Sequence, residues 1–290
     1  MPRRRKPIAT PWRATHIAAI CLCGVLAWAG CASRACPRDI QLVRSQTIKG
    51  VGAAQGVEVR DRHVYVYGDA ETGVIVECSR TGNDLTPTGR VVRLTRNGED
   101  FIPHPTGLTF HPDFGAFIGN TVKGRGVICH VDWDQMLADG NLDHAVLNET
   151  IDDLAINGTR PEFVQHDGAW LIATADYGDA SNAVRFYDPM RLATAKRTSE
   201  AGVLRGACRC GAWVQNLHWL RDRHRMVLVQ NQIEGRRWRI AIVDERDAGR
   251  HVFENFAPAD ELEGFHMLDH ESCLFVTSSR RDNVWFGVVR

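Results

Sequence analysis

The sequence predicts an all-β protein, a five-bladed β-propeller that is closed by its N-terminal strand. Three observations lead to this prediction. Short apolar runs alternate with Gly, Pro, Asn and Asp, the residues that form β-turns. One strand–turn–strand–turn–strand unit, clearest in Pro105–Asp132, occurs five times at intervals of 51, 55, 54 and 48 residues. A further strand, Ile40–Thr47, precedes the first unit, whereas the last unit lacks a fourth strand.

Each unit supplies three clear strands, and four units add a weaker fourth one. The first strands begin at Gly56, Gly107, Glu162, Asn216 and Gly264. The second strands are Val64–Gly68, Ala116–Gly119, Trp170–Ala175, Met226–Gln230 and Leu274–Ser278. The third strands are Val74–Cys78, Val127–Val131, Ala183–Tyr187, Arg239–Val243 and Val284–Val288. The fourth strands are Gly89–Thr95, His144–Thr150, Ala201–Arg205 and His251–Phe256. Apolar residues follow one another in the second strands, as a blade that is buried on both faces requires.

The strand Ile40–Thr47 is predicted to complete the last blade by pairing with Val284–Val288, because an unclosed blade would leave a bare sheet edge. A six-bladed ring would need another unit within Thr81–His104, and this segment holds a single strand. Five blades are therefore predicted. Asp134–Ala138 and Pro189–Ala193 are predicted to form single helical turns.

The composition is that of an ordinary globular protein. The chain has 290 residues, 44% of them hydrophobic and 24% charged, with 35 basic and 35 acidic side chains. Without an excess of positive charge, no nucleic-acid partner is predicted.

The N-terminal residues predict export. A basic stretch, Arg3–Lys6, precedes the apolar run Ile17–Gly30. As a helix this run would span about 21 Å, less than the roughly 30 Å hydrocarbon core of a bilayer. We therefore divide the chain into a signal peptide (residues 1–30), a linker (31–39) and one propeller domain (40–290).

Two cleavage sites fit this leader. Ala29–Gly30–Cys31 is similar to the end of a bacterial lipobox, although Trp28 stands where that motif carries Leu, and predicts lipidation of Cys31. Alternatively, Ala27–Trp28–Ala29 is a site for ordinary signal peptidase. The expected location is the periplasm, the outer membrane through a lipid anchor, or the medium, with a lipid anchor as the sole membrane contact.

The remaining cysteines divide into two kinds. Cys78 and Cys129 occupy equivalent positions in third strands and are predicted to be small buried side chains. Cys208–Arg209–Cys210 is predicted to lie in a loop, where a disulfide to Cys36 or Cys273 would suit an oxidising compartment. The connectivity stays open.

Polar residues are predicted to gather at one mouth of the channel. The loop before each first strand and the loop after each second strand open onto this face, which we call the entry face. Before the first strands lie Gln55, Thr106, Arg160, Glu162, Gln215, Asn216 and Glu263. After the second strands lie Asp69, Asn120, Asp176, Asn231 and Ser279. Such oxygen ligands suit Ca²⁺ or a sugar, whereas Asp or Asn after a strand also forms an ordinary Asx turn.

From these rings we select candidate site residues. The candidate ligand-binding residues are Asp69, Asn120, Arg160, Asp176, Asn216 and Asn231. Glu162 and Glu263 are the candidate catalytic residues, because each lies beside the start of an inner strand, where an unpaired carboxylate is costly. Alternatively, Arg160 pairs with Glu162 and both are structural. His218 and His266 share one offset in successive units and are predicted to line the channel.

The units PTGLTFHPDFGAFIGN and EGFHMLDHESCLFVTSS resemble the broad superfamily of YVTN, NHL and gluconolactonase-like propellers. The gluconolactonase-like resemblance includes the pair Glu263–Gly264 and implies a divalent metal. Its implied ligands are Glu263, Asn120 or Asn231, and Asp176 or Asp69. That family has six blades and carries the pair in its first blade, whereas here the pair lies in the last.

Two functions are compatible with these features. The first is an exported binding module that takes a small molecule or a protein at its channel face. The alternative is a divalent-metal-dependent hydrolase of a lactone or carbohydrate that uses Glu162, Glu263, Asp69 and Asp176. Neither a G-x-S-x-G elbow nor an H-E-x-x-H motif occurs in the sequence.

Overall fold

A computed structural model of the chain describes residues 39–234, 237–244, 247–256 and 260–290. The predicted leader, with Cys31 and Cys36, lies outside the described residues. None of the helices in these ranges is long and apolar enough to cross a membrane.

The described residues form five four-stranded antiparallel sheets, and their order along the chain is that of a β-propeller. Strand β1 (Ile40–Gln46) comes first. Blade 1 consists of β2 (Ala53–Arg60), β3 (His63–Asp69), β4 (Gly73–Thr81) and β5 (Asp84–Arg93), followed by a small hairpin, β6 (Thr95–Arg96) and β7 (Glu99–Asp100). Blade 2 consists of β8 (Pro105–His111), β9 (Gly115–Val122), β10 (Arg125–Val131) and β11 (Val146–Asp152), with helix α1 (Trp133–Asp139) before β11.

The last three blades repeat this order. Blade 3 consists of β12 (Glu162–His166), β13 (Ala169–Ala175), β14 (Ala183–Tyr187) and β15 (Leu204–Arg209), with α2 (Pro189–Leu192) before β15. Blade 4 consists of β16 (Val214–Leu220), β17 (Arg225–Ile233), β18 (Arg237–Asp244) and β19 (Asp247–Phe256), with a 3₁₀ turn (Arg221–Arg223) after β16. Blade 5 consists of β20 (Leu262–Met267), β21 (Ser272–Thr277), β22 (Val284–Val289) and the N-terminal strand β1.

Strand β1 closes the ring as predicted. It runs antiparallel to β22, with Ile40 opposite Val289 and Gln46 opposite Val284. The apolar core supports the same closure, since each described core cluster joins two neighbouring blades. One of these clusters packs Val57 and Val66 of blade 1 against Phe286 of blade 5.

The turns between first and second strands follow from their residue types. Asp61, Asp167 and His224 adopt positive φ there, a conformation in which Asp, Asn and His are enriched among residues with a side chain. A glycine is needed in the inner strand β2, where a side chain of the neighbouring strand β3 lies close to the backbone. A Cβ atom on Gly56 would lie 2.1 Å from the Tyr67 hydroxyl oxygen, so only glycine leaves room for this ring.

Two local predictions are corrected. Thr81–His104 contains the end of β4, β5 and the hairpin β6–β7 instead of a single strand, but the hairpin pairs only two residues on each side, so the ring keeps the predicted five blades. Cys208 and Arg209 belong to β15 instead of a loop, because β15 begins at Leu204, three residues later than the predicted fourth strand. Cys78 and Cys129 are buried, as predicted. Cys273 is buried in blade 5, whereas Cys208 and Cys210 belong to blade 3.

Candidate functional site

A belt of polar side chains runs around the channel, one from the innermost strand of each blade. Its members are Glu58, Thr109, Glu162, His218 and His266, and we call them the channel belt. Each lies in the interior or at the start of an inner strand, and each is paired with a residue of the second strand of its blade. The repeat therefore brings five polar side chains, two Glu, two His and one Thr, to the same pocket of the channel.

The channel belt forms the floor of a pocket of about 290 Å³. The pocket opens where the inner strands end, beside the 3₁₀ turn Arg221–Arg223 and the turn Leu268–His270. We call this mouth the turn face. It is opposite to the entry face, where the sequence predicted the site. Phe163, Trp219 and Met267 add apolar surface to the pocket wall.

Glu162 is the best-anchored acid of the floor. Its Oε1 accepts a hydrogen bond of 2.9 Å from the backbone N–H of Trp219. Burial raises the pKa of Glu162 to about 7, against the lowering effect of hydrogen bonds from Trp219 and Thr109 and of the charge on Arg221. The carboxyl group therefore changes its charge near neutral pH.

Glu58 is the second acid of the floor. Burial, and then the charge of Glu162, raises the pKa of Glu58 well above its ordinary value. Glu58 and Glu162 are 8% and 9% exposed, and among the described residues neither lies within 4.0 Å of a Lys or Arg nitrogen. Two buried carboxyl groups thus face one pocket, and neither forms a salt bridge to a Lys or Arg side chain of the described residues.

Two neutral histidines complete the floor. The rings of His218 and His266 lie side by side, with centroids 4.3 Å apart, as the shared offset predicted. His218 Nε2 is 3.3 Å from the backbone N–H of Met267 and accepts its hydrogen bond, so Nδ1 carries the proton and lies 3.8 Å from Glu162 Oε1. Burial lowers the pKa of both histidines, that of His266 to about 3.

Several polar atoms of the pocket residues are buried without a hydrogen-bond partner in the described part of the chain. They are Trp219 Nε1, Arg223 Nη1 and His266 Nδ1. Buried polar atoms are nearly always paired in folded proteins. Their concentration around one pocket therefore indicates groups that hydrogen-bond to a ligand or to solvent.

A separate network lies toward the entry face. Arg160 Nη2 donates to Gln215 Oε1 at 3.4 Å, and Gln215 Nε2 donates to Glu263. Asn216 Nδ2 donates to the Tyr67 hydroxyl at 2.9 Å and to the Glu263 carbonyl at 3.1 Å. Burial lowers the pKa of Arg160 to about 10 and, together with the charge of Glu261, raises that of Glu263. Arg160 thus lies with Glu263, and the alternative in which it pairs with Glu162 is not seen.

Asn231 extends this network to the surface. It accepts a hydrogen bond of 3.0 Å from the Tyr177 hydroxyl and donates one of 3.3 Å to Glu261. The structure therefore brings four of the predicted residues close together within blades 3 to 5, namely Arg160, Asn216, Asn231 and Glu263.

The other predicted residues have separate partners. Asp69 Oδ2 lies 2.9 Å from His104 Nδ1, and the backbone N–H of His104 donates to Asn120 Oδ1 at 3.4 Å. Asp176 is fully buried and accepts hydrogen bonds from Arg185 Nη1 and from the backbone N–H groups of Ile156 and Ala183. Its contacts are those of a residue that holds a loop in place.

The predicted metal ligands Asp69, Asp176 and Glu263 therefore share no contact. In the described ranges, no group of three His, Cys, Asp or Glu side chains has the geometry to hold a metal ion. Glu162 lines the turn-face pocket, whereas Glu263 belongs to the entry-face network.

The sequence analysis missed Glu58, Trp219, Arg221 and Arg223 as site residues. A signal was available for the first of them. Glu58 follows the start of its inner strand by two residues, the same offset that was noted for His218 and His266. A signal was also available for the two arginines, because their sequence Arg-Asp-Arg-His at Arg221–His224 also occurs at Arg60–His63, where the inner strand of blade 1 ends.

Comparison with known proteins does not identify a family for this chain. No family model and no curated protein matches this chain. Solved structures do match, among them one described as "Structure of Dos1 propeller". The match has 10% sequence identity and a TM-score of 0.38, and it covers 78% of this chain and 51% of that chain, about half its length. The propeller fold itself rests on the strand pairing described above.

Proposed function

We propose that this protein is an exported binding module that takes a small polar molecule into the turn-face pocket of its channel. The observation that carries the proposal is the pocket floor, where two buried carboxyl groups and two neutral histidines meet beside unpartnered donors. A β-propeller is a common framework for binding sites, but the fold alone does not define a function. The proposal therefore depends on the pocket chemistry.

The free-energy cost of burying two acidic side chains in the pocket floor supports a binding role. Burying a carboxyl group away from water and from a partner costs several kcal/mol in its charged form. Glu58 and Glu162 lack a Lys or Arg partner in the described ranges, and the hydrogen bonds to Glu162 offset the cost only in part, since burial still raises the pKa of both groups. Residues with perturbed pKa values inside a cleft are candidates for function. A ligand with hydrogen-bond donors would satisfy both carboxyl groups, and its acceptors would satisfy Trp219 Nε1 and Arg223 Nη1.

The size of the pocket limits the ligand. A volume of about 290 Å³ is at the lower end of the roughly 300–1,000 Å³ typical of small-molecule pockets. A metabolite-sized molecule fits such a volume, whereas a folded protein partner would contact only the rim.

The proposed location is outside the cytoplasm. Its support is the basic stretch Arg3–Lys6 followed by the apolar run Ile17–Gly30. The ligand would then be a solute of the periplasm or of the surrounding medium.

The metal-dependent hydrolase has no comparable support. It requires Glu162, Glu263, Asp69 and Asp176 to converge, and each of these carboxylates has its own partners. We therefore propose the binding function alone, and divalent cations enter the experiment as one of its compound classes.

A thermal-shift screen tests the proposal. The full chain is melted with sugars, polyols, organic acids, amines, amino acids and divalent cations, because a ligand of the folded state raises Tm. We expect at least one organic class to raise Tm in the wild type and to lose this effect in Glu58→Gln and Glu162→Gln. Glu99→Gln, an exposed change on β7, should behave as the wild type. A screen without any response, or a response that survives both floor variants, would overturn the proposal.

A further inference from the structure

We propose, resting on the binding function above, that the ligand is a small zwitterion, an amino acid or a short peptide. Its ammonium group would lie against Glu58 and Glu162 on the pocket floor. Its carboxylate would lie against Arg221 and Arg223 on the pocket rim. The proposal follows from how charge is distributed along the pocket.

The floor is suited to a cation. Its two carboxyl groups have no Lys or Arg side chain within ion-pair distance in the described ranges, and the neighbouring histidines are neutral because burial disfavours their charged form. An ammonium group brings three N–H donors and one positive charge. It would therefore compensate two carboxyl groups that the charge of Arg221 offsets only in part and that no Lys or Arg side chain of the described ranges pairs with directly.

The rim is suited to an anion. Arg221 and Arg223 line the pocket from the 3₁₀ turn, and neither has a carboxylate within ion-pair distance among the described residues. The Arg223 Nη1 atom is buried and lacks an acceptor. A guanidinium group binds a carboxylate through two parallel hydrogen bonds, which gives it both geometry and charge.

The acidic residues of the rim already have partners. Asp222 Oδ2 lies 3.9 Å from His270 Nδ1, and Asp269 Oδ2 lies 3.4 Å from Arg80 Nη2. Asp269 also accepts from the backbone N–H of Ser272 at 2.8 Å. The arginines are thus the rim charges that remain available to a ligand.

Ligands with a single charge would fit less well. An anion would bring its charge toward the acidic floor, and a simple amine would leave the buried Arg223 nitrogen unsatisfied. The apolar wall at Phe163, Trp219 and Met267 lies along the same pocket and would contact a hydrocarbon portion of the ligand. A molecule with opposite charges at its two ends satisfies floor and rim together.

The test uses matched compounds that differ only in their charged groups. The full chain is titrated calorimetrically with 6-aminohexanoate, hexylamine and hexanoate, and with L-leucine, 3-methylbutylamine and 4-methylpentanoate. Glycylglycine and D-glucose extend the series to a dipeptide and a neutral polyol. We expect at least one zwitterion to bind at least tenfold more tightly than either of its single-charge counterparts, and D-glucose not to bind.

Variants then test which residues bind the ammonium group and which bind the carboxylate of the ligand. Arg223→Gln should reduce zwitterion affinity at least tenfold toward that of the amine and leave the amine unaffected. Arg221→Gln should reduce the ratio of zwitterion to amine affinity at least tenfold, since the charge of Arg221 also acts on Glu58 and Glu162. Glu162→Gln should instead reduce the affinity for both zwitterion and amine. Arg125→Gln, an exposed change at the start of β10, is the matched control and should change neither affinity.

The outcomes separate this inference from the binding function. If an amine binds as tightly as its zwitterion, or if D-glucose alone binds and does so through Glu162, the ligand class is wrong and the binding function stands. Failure of every compound here and in the thermal-shift screen overturns both. Zwitterion binding that is unchanged by both arginine variants also overturns the inference, and circular dichroism of each variant checks that it has folded.

Discussion

At the scale of single residues, Glu162 makes the charge of the pocket depend on pH. Its pKa is raised from 4.5 to about 7, chiefly by burial. Its surroundings are Glu58 from β2, Thr109 from β8, His218 from β16, His266 from β20 and Arg221 from the 3₁₀ turn. Since the histidines stay neutral, the acids determine the charge of the floor near neutral pH.

We predict that Glu162→Gln changes the pH dependence of stability. Between pH 4.5 and about 7, folded wild-type protein keeps a proton on Glu162 that the unfolded chain has released. The contribution of this group to stability therefore falls as pH rises through this window. Glutamine does not ionise, so the variant should lose this fall and be more stable than wild type at pH 8, by on the order of 3 kcal/mol. Urea unfolding from pH 4.5 to 8 measures the difference.

The control for this prediction is Glu99→Gln, which removes an exposed carboxylate. It should leave the pH profile of the free energy of unfolding unchanged. A Glu162→Gln profile that runs parallel to that of wild type would contradict the assignment of the raised pKa to this side chain.

Asp176 shows a different use of a buried carboxylate. Its oxygens accept hydrogen bonds from two backbone N–H groups and from Arg185, and it is 0% exposed. Such a group, with a charged partner, belongs to the framework, whereas Glu58 and Glu162 have no Lys or Arg side chain within ion-pair distance in the described ranges. Position after a second strand therefore does not distinguish a binding residue from a residue that supports a loop.

At the scale of elements, the sequence was informative wherever the repeat controls the position. Every predicted inner strand exists, and the two histidines that share an offset lie next to each other. Glu58 has the same offset as these histidines. Because it is a glutamate and not a histidine, the sequence did not show that all three belong to the channel belt. The fourth strands were displaced by several residues because they lie at the outer edge, where packing constrains the sequence least.

We predict that strand β1 is needed to hold the ring closed. A chain that begins at Ile48 would leave β22 as an open edge and expose the apolar surface around Ile40, which is 3% exposed in the ring. Burial of one such side chain is worth about 1.5–3 kcal/mol, and Tm changes by about 2–4 °C per kcal/mol in a domain of this size. With the hydrogen bonds of β1 also lost, we expect Tm to fall by about 10 °C or more, or the protein to aggregate.

The matched control for this truncation is a chain that begins at Asp39, which keeps β1 and removes the residues before it. It should melt within experimental error of the full chain after processing. Scanning calorimetry and light scattering distinguish the two chains, and a monomeric protein that begins at Ile48 with an unchanged Tm would disprove closure by β1.

At the scale of the whole molecule, the architecture was predictable and the site was predictable only in part. Five repeats and one spare strand determine a closed ring, because each blade needs four strands and two neighbours. The position of the pocket along the channel depends on how far side chains reach across the ring and on the 3₁₀ turn Arg221–Arg223. The sequence of this turn recurs at Arg60–His63, where it forms no helix. The repeat pattern reveals neither the reach of the side chains nor the conformation of the turn, so the site was predicted at the entry face.

The last prediction concerns the residues before the ring. We expect the chain to be processed when it is produced in a bacterium from its own first residue, because Arg3–Lys6 and Ile17–Gly30 have the order of charge and apolar residues found in export signals. Mass spectrometry of the mature N-terminus measures the outcome. A diacylglyceryl group on Cys31 indicates a lipoprotein, and an unmodified N-terminus at Gly30 indicates ordinary secretion.

Cys31→Ser is the control that separates these two routes. Without the thiol no thioether to lipid can form, so a lipoprotein should then accumulate unprocessed, whereas a secreted protein should still begin at Gly30. The location of the proposed ligand depends on this result, because an exported pocket meets solutes of the periplasm or the medium. A chain that retains Met1 in the membrane fraction, in wild type and variant alike, would contradict both routes and remove the support for an extracytoplasmic ligand.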